Sequence, residues 1–223
     1  KLNSVRFKNI YLLCFSKYFN MEPKDYLKDI TEIKQLMNKS SRFISLSGLS
    51  GVLAGIYAII GATVAYWLVE GYSDGTLILE GKTYGLVLLD LALIAFLSIV
   101  TTVVLTTKKA KKQDEKVWDN TSKRLVVNFL IPLLTGGIYI LIVLNQQKYG
   151  LTAALMLIFY GLALINASKY SIGNIRYLGF IQTILGLICA LFPDYGFWIW
   201  VLGFGVMHII YGVWMHIKFD TNY

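Results

Sequence analysis

Residues 175–217 decide the fold and read IRYLGFIQTILGLICALFPDYGFWIWVLGFGVMHIIYGVWMHI. They contain two apolar runs, 175–192 and 196–217, with only Pro193, Asp194 and Tyr195 between them. About 20 apolar helical residues are needed to cross a hydrocarbon core that is roughly 30 Å thick. Two such runs joined by a tight turn predict an antiparallel hairpin of transmembrane helices.

Four more apolar runs precede this hairpin, at 44–69, 85–107, 125–144 and 151–168. Helices are predicted because these runs are long and continuous, whereas membrane strands alternate over about 10 residues. Hydrophobic residues make up 56% of the 223 residues and charged residues only 15%, which is too apolar for an ordinary soluble domain. The sequence therefore predicts an all-α membrane protein with a six-transmembrane-helix bundle over residues 43–217.

Lysine and arginine are concentrated in alternate loops, which orients the predicted bundle. They are Lys24, Lys28, Lys34, Lys39 and Arg42 before the first span, Lys108, Lys109, Lys111, Lys112, Lys116, Lys123 and Arg124 after the second, and Lys169 and Arg176 after the fourth. Because short cytoplasmic loops hold the positive excess, both termini are predicted to be cytoplasmic, with a tail at 218–223. The net charge of +8 is thus a topology signal, and no nucleic-acid partner is expected.

Aromatic residues are found at the predicted outer ends of two spans. Tyr66 and Trp67 close the first span, and Phe197, Trp198 and Trp200 open the sixth. Tyrosine and tryptophan are enriched where a helix passes the headgroup level. These residues therefore predict an interfacial belt in contact with the lipid bilayer.

The first 42 residues are predicted to form two segments. Residues 1–20 are interpreted as a non-native or disordered leader, because Met21 is followed by Glu22 and Pro23, which suit a helix start. Over 23–40 the apolar residues recur with a helical period, at Tyr26, Leu27, Ile30, Ile33, Leu36 and Met37. Residues 21–42 are predicted to form an amphipathic cytoplasmic helix that lies on the inner leaflet, packs under the bundle or docks a protein partner.

Small residues recur along one stripe of the first span. They are Ser47, Gly51, Gly55, Ala58 and Ala62. Small residues at this spacing let two helix backbones approach closely in lipid. Packing within the bundle is the favoured interpretation, and a homo-oligomer formed through the same face is the alternative.

Polar residues inside the spans are the candidates for a functional site. They are Asp90, Asn128, Asn166, Gln182, His208 and His216. Asp90 is the only acid in a span, and ionisable residues there commonly serve function. Gln182 and His208 fall near the middle of neighbouring spans, which predicts a hydrogen bond between them. The set outlines a candidate polar cavity, and the alternative is that the amides and histidines only join helices.

Catalytic and cofactor motifs do not emerge from the sequence. Residues 48–51 match the GxSG pattern of rhomboid proteases, but that family carries the serine on its fourth core helix, whereas Ser50 lies in the first span. His208 and His216 are too far apart for a metal pair, which requires the i, i+4 spacing. No enzyme activity, metal or cofactor is predicted.

Three segments, 41–51, 159–170 and 203–212, resemble a family of uncharacterised bacterial six-helix integral membrane proteins. The resemblance covers nearly all of the chain from Met21 onward. It implies a bacterial inner-membrane location but no activity, substrate or catalytic residue. The last hairpin also resembles the glycine-rich helix pairs of the acid-resistance HdeD-like membrane proteins, with Leu185, Gly186 and Pro193 in similar places.

Two classes of function fit these features. The first is a small transport, permeation or sensing bundle, in which Asp90 or the inner polar residues contact an ion or solute. The second is a membrane scaffold or regulatory protein, which recruits a cytoplasmic partner through residues 23–40 and the basic loop.

Overall fold

The computed structural model describes residues 29–31, 47–70, 81–112, 117–171 and 175–220, and this part of the chain is almost entirely helical. All six principal helices lie in one compact unit, Arg42–Tyr223. They are α1 (Gly48–Glu70), α2 (Gly81–Lys112), α3 (Asn120–Asn145), α4 (Thr152–Ala167), α5 (Ile175–Leu191) and α6 (196–220). Helix α6 changes winding along its length, since Val201–Met207 and His216–Asp220 are π-helical.

Five helical segments among the described residues are long and apolar enough to cross a membrane. They are Gly48–Val69, Thr83–Lys112, Asn120–Asn145, Tyr149–Tyr170 and Pro193–Lys218. The sequence predicted six such spans. The exception is α5, an apolar helix of 17 residues whose length of about 25 Å falls short of a core roughly 30 Å thick. Length and composition therefore identify five spans rather than six.

The basic loop between α2 and α3 is shorter than predicted, because both helices extend beyond the apolar runs. Helix α2 continues to Lys112, so its last turn holds Lys109, Lys111 and Lys112, where cations interact favourably with the helix dipole. Helix α3 begins at Asn120 because Asp119 caps it: its carboxylate accepts hydrogen bonds from the backbone N–H and the hydroxyl of Ser122, both at 2.7 Å.

The helices pack as two groups of three. Helix α1 lies between α2 and α6, and α4 lies between α3 and α5, while α6 also contacts α4 and α5. Helices α5 and α6 are joined by the short turn Pro193–Tyr195. They are not each other's main partner, however, because α5 packs most extensively on α4 and α6 on α1.

Glycines bring α1 and α6 into direct backbone contact. A Cβ added to Gly55 would lie 2.6 Å from the carbonyl oxygen of Gly205, and one added to Gly212 would lie 2.5 Å from the amide nitrogen of Val52. A Cβ added to Gly51 would lie 3.3 Å from the Cα of Gly212. Such distances leave no room for a side chain, so glycine is required where these two helices meet.

The predicted small-residue stripe faces the interior of the bundle. Ser47, Ala58 and Ala62 are 8%, 3% and 5% exposed, and Gly51 and Gly55 lie against α6. The face that the homo-oligomer alternative would use is therefore covered by a helix of the same chain.

A second glycine contact joins α4 and α5. A Cβ on Gly161 would meet the Gly179 carbonyl oxygen at 2.6 Å, and one on Gly179 would meet the Gly161 carbonyl oxygen at 2.8 Å. Gly186 lies equally close to Ile158 of α4. This reciprocal contact explains why α5 packs on α4 rather than mainly on α6.

Several predicted segments lie outside the described residues. They include the leader at 1–20, residues 221–223 of the tail and most of the amphipathic helix. Asp29, Ile30 and Thr31, which belong to that helix, are helical.

Candidate functional site

Three polar side chains meet where α4, α5 and α6 come together. They are Tyr160 of α4, Gln182 of α5 and His208 of α6, and each lies close to the midpoint of its helical segment. Gln182 is completely buried and His208 is 6% exposed. In a membrane, this group would lie near the middle of the hydrocarbon core.

Four short contacts connect the group to one backbone carbonyl. The Tyr160 hydroxyl lies 2.8 Å from Nε2 of His208, and Nδ1 of His208 lies 3.0 Å from the carbonyl oxygen of Gly203. Nε2 of Gln182 donates to the same carbonyl oxygen at 2.7 Å and lies 3.3 Å from Nδ1 of His208. We call Tyr160, Gln182, Gly203 and His208 the midplane network.

The acceptor at Gly203 assigns the tautomer of His208. A carbonyl oxygen only accepts, so the close Nδ1 contact requires a hydrogen on Nδ1. Nε2 of a neutral imidazole is then an acceptor, and the Tyr160 hydroxyl donates to it. The opposite tautomer would place two lone pairs 3.0 Å apart, which is unfavourable. Nδ1 of His208 therefore carries a hydrogen, and in the neutral ring Nε2 accepts from Tyr160.

This assignment refines the predicted bond between Gln182 and His208. Both side chains donate to the Gly203 carbonyl, which has two lone pairs. The 3.3 Å approach of their nitrogens follows from that shared acceptor. The two residues are neighbours, as expected from the sequence, but they share the Gly203 carbonyl instead of forming the predicted hydrogen bond with each other.

Gly203 lies inside the π-helical segment Val201–Met207. A Cβ at this position would lie 2.5 Å from the Leu157 side chain and 2.7 Å from Oε1 of Gln182. Glycine is therefore needed for α4 and α5 to approach the carbonyl. Short π-helical segments inside helices are frequently found at functional sites.

Aromatic rings surround the network. The Phe204 ring stacks on His208 with a centroid distance of 5.8 Å and an interplanar angle of 13°, and the Trp200 ring lies 5.0 Å from Phe204, tilted by 38°. Phe129 of α3 meets Tyr160 edge-on at 6.1 Å. These rings exclude water, and hydrogen bonds are electrostatically stronger in such a low-dielectric setting.

Polar atoms beside the network have unused hydrogen-bonding capacity. Oε1 of Gln182, Nε1 of Trp200 and the hydroxyl of Tyr211 are buried and have no partner among the described residues. Of these atoms, Oε1 of Gln182 belongs to the network itself, so the network has an acceptor that is not used among the described residues.

The other predicted polar residues lie in different places. The Asn166 side chain donates to the backbone carbonyl of Asn128 at 2.8 Å, and the Asn128 side chain bonds within its own helix to Arg124. The backbone of His216 lies against Gly48. Asn128 and Asn166 thus join α3 to α4, while His216 belongs to the contact between α1 and α6.

Asp90 lies in the contact between α1 and α2. A Cβ on Gly61 of α1 would be 3.2 Å from Oδ2 of Asp90. That oxygen is buried and has no hydrogen-bond partner among the described residues. Asp90 is therefore separate from the midplane network in both position and helix pair.

Tyr160 and Gly203 were not among the residues singled out from the sequence. A tyrosine in the middle of an apolar run is unusual, since tyrosines concentrate at the ends of spans, and this position was the available signal for Tyr160. The closely spaced Gly203 and Gly205 were the corresponding signal in α6. Neither pattern indicates which helix supplies the hydrogen-bond partner.

Comparisons of the chain with protein-family models, with curated proteins and with solved structures find no match. The resemblances to uncharacterised bacterial membrane proteins and to HdeD-like helix pairs therefore stay predictions.

Proposed function

We propose that the protein is a six-crossing membrane bundle of the transport, permeation or sensing class, and that its working group is the midplane network. The observation that carries the proposal is the neutral His208 at mid-depth, donating through Nδ1 and accepting through Nε2. Polar and ionisable residues at such positions commonly mark ion pathways, proton relays or ligand sites.

Aromatic contacts support the alternating topology. The Tyr66 ring of α1 lies 6.0 Å from Phe197 and 6.5 Å from Trp198 at the start of α6. Tyr84 of α2 meets Tyr149, which precedes α4, at 6.0 Å. These are the ends predicted to lie outside, where aromatic belts are enriched. Helix α5, at 17 residues, lies at the lower end of the range of roughly 17–25 that can cross.

Basic residues at the other ends of the helices support the prediction that those ends are cytoplasmic. The Arg176 guanidinium lies 5.1 Å from the Phe180 ring centre, and the Lys218 ammonium lies 4.9 Å from that of Trp214. Long basic side chains beside aromatic rings suit the headgroup level. The proposal therefore places both termini in the cytoplasm, and the bacterial resemblance favours an inner membrane.

We infer that proton uptake by His208 is the event to which this network responds. Histidine changes charge closer to neutral pH than other ordinary side chains. A second ring hydrogen would make Nε2 a donor, so the Tyr160 hydroxyl would have to turn from donor to acceptor. Among the described residues, the groups that contact the His208 ring are the Tyr160 hydroxyl, the Gln182 amide, the Gly203 carbonyl and the Phe204 ring, all uncharged. Protonation would thus change contacts on several helices at once.

Two readouts on the purified full chain in liposomes test the proposal. The first is proton flux, followed with a pH-sensitive dye trapped in the vesicles. The second is tryptophan fluorescence during a pH titration, because the Trp200 ring lies 5.0 Å from Phe204, which stacks on His208. The variants are His208→Gln and Tyr160→Phe, with Tyr177→Phe as the matched control because Tyr177 is exposed.

Flux above that of empty liposomes would support transport or permeation, and a fluorescence transition without flux would support sensing. In either case His208→Gln should abolish the signal and Tyr177→Phe should preserve it. A parent protein without flux and without a transition, or a signal unchanged in His208→Gln, would overturn the proposal. The scaffold alternative rests largely on residues outside the described part of the chain and stays a prediction.

A further inference from the structure

A second site lies in the contact between α1 and α2. Asp90 stands about 10 Å along α2 from Thr83, where the long apolar segment begins. Its neighbours Leu89 and Leu93 are 64% and 52% exposed and face the surroundings of the bundle, whereas Asp90 is only partly exposed and turns toward Gly61. The carboxyl group therefore sits at the edge between lipid and the α1–α2 contact.

Gly61 makes room for this carboxyl group. A Cβ at Gly61 would collide with the Ile94 side chain and would come within 3.2 Å of Oδ2 of Asp90. Further along the same two helices, the hydroxyls of Tyr57 and Thr101 pair at 3.2 Å. The α1–α2 contact thus presents polar groups at two depths within apolar helices.

The apolar segments of α1 and α2 supply no basic partner for Asp90. Lysine, arginine and histidine do not occur in the sequence over 48–69 or 83–107. Oδ2 is buried and lacks a hydrogen-bond partner among the described residues. A buried carboxylate without a partner is costly, and such a group is stable only when a proton or a metal cation neutralises it.

A proton suits the geometry better than a sodium ion. A metal cation needs several oxygen ligands at once, as the oxygen-rich sites of hard cations show. Oδ2 of Asp90 faces Gly61 and has no hydrogen-bond partner among the described residues, so no set of oxygen ligands surrounds it there. A proton needs only the carboxyl group itself.

We propose that Asp90 is an exchangeable proton-binding site that faces the lipid edge of the α1–α2 contact. The site is independent of the midplane network, because it lies on a different helix pair. Asp90 lies only about 10 Å along α2 from Thr83, so protons can reach it from the nearer membrane surface without an opening of the bundle core.

A hydrophobic carbodiimide tests this assignment on the wild-type chain in liposomes. The reagent reacts with a protonated carboxyl group: one reagent nitrogen takes the acid proton, the carboxylate oxygen adds to the central carbon, and an acyl shift leaves a stable N-acylurea. Peptide mass mapping then reports which carboxyl group is modified. Asp194, exposed in the turn before α6, is the internal control and should react instead with a water-soluble carbodiimide.

The expected result is modification of Asp90 at neutral pH, declining as the pH is raised and unchanged when sodium replaces choline in the buffer. Asp90→Asn should lose the modification and Asp90→Glu should retain it. Modification of Asp90 only after unfolding in acidic detergent would overturn the proposal. Protection of Asp90 by sodium would also overturn it, because the site would then bind a metal cation instead of a proton. His208→Gln should leave the labelling unchanged, so this result is separable from the fate of the midplane network.

Discussion

His208 makes two hydrogen bonds of opposite direction. Nδ1–H donates to a backbone carbonyl of its own helix, and Nε2 accepts the hydroxyl hydrogen of Tyr160 on α4. A ring used in this way cannot gain a proton without reversing one of its bonds. The residue therefore couples its own protonation state to the contact between α4 and α6.

Tyr160→Phe removes one of these bonds and leaves Nε2 of His208 without a donor. The expected cost to the free energy of unfolding is about 1 kcal/mol and at most about 2 kcal/mol, since interhelical hydrogen bonds in membranes are modest. Reversible unfolding in mixed detergent micelles measures it. Tyr177→Phe, which alters an exposed tyrosine, should change the value by less than about 0.5 kcal/mol. Equal effects of the two substitutions would contradict the role given to the Tyr160 hydroxyl.

Asp119 gives the start of α3 a dependence on pH. Burial raises the pKa of Asp119, but hydrogen bonds from Ser122 and Thr121 outweigh it, so the pKa lies below its ordinary value. A carboxyl group with a lowered pKa stabilises the fold above its unfolded-state pKa, and this contribution is lost as pH falls through the folded value.

Asp119→Ala should therefore destabilise the protein at neutral pH by about 1 kcal/mol, the usual cost of losing an N-cap. The difference from wild type should shrink as the solution is acidified, because the wild-type cap is then protonated. Thermal unfolding in detergent at a series of pH values measures both effects. A difference that stays constant or grows on acidification would contradict the capping role.

The sequence predicted which residues are neighbours only where a short turn constrains two helices. The short turn at Pro193–Tyr195 placed Gln182 and His208 side by side, and the structure joins them through Gly203. Tyr160 was out of reach, because the sequence does not say which face of α4 meets α6. Hydrogen-bond partners on helices without a short connection are set by packing.

At the scale of the helix, glycine determines which elements touch. The α1–α6 contact places backbone against backbone at Gly212, which lies opposite Gly48 and Val52. Helix association in lipid relies on this kind of close packing, since burial of apolar surface gives no advantage there.

Gly212→Ala tests that contact. The new Cβ would lie 2.5 Å from the amide nitrogen of Val52 and 2.8 Å from the carbonyl oxygen of Gly48, so the two helices must move apart. We expect a loss of about 1–3 kcal/mol in the free energy of unfolding. Gly137→Ala is the matched control, because nothing lies within 4 Å of a Cβ there, and it should be neutral or stabilising by up to about 1 kcal/mol. A smaller loss of unfolding free energy for Gly212→Ala than for Gly137→Ala would contradict the close backbone contact between α1 and α6.

Helix positions were predictable from the sequence, and helix partners were not. Apolar runs ending near Lys108 or Pro193 indicated where helices lie. Helix α2 nevertheless continues through a lysine-rich last turn, and α3 begins before its apolar run because Asp119 caps it. The stripe containing Gly51 and Gly55 predicted a close contact without naming α6. The reciprocal contact of Gly161 with Gly179 was missed because isolated glycines do not reveal the opposing surface.

At the scale of the whole molecule, α6 connects the two groups of three helices. It packs on α1 in one group and reaches α4 and α5 in the other. The midplane network lies at this junction, and Asp90 lies on the far side of α1. A change in the winding of α6 would therefore alter contacts in both groups. A change in the protonation of Asp90 would first alter the contact between α1 and α2.

The proposed six-crossing topology depends on α5, which apart from α4 is the shortest of the six principal helices and is one of the shorter apolar helices. If α5 crosses the membrane completely, Lys169 and Asp194 lie on opposite sides of it. Gln182 then lies at mid-depth. The most direct measurement is labelling of Lys169→Cys and Asp194→Cys, each in a Cys14→Ser, Cys189→Ala background, with a membrane-impermeant thiol reagent on intact cells and inverted vesicles. We predict that Asp194→Cys is labelled from the outside and Lys169→Cys only from the cytoplasmic side. Labelling of both positions from the same side would contradict the account.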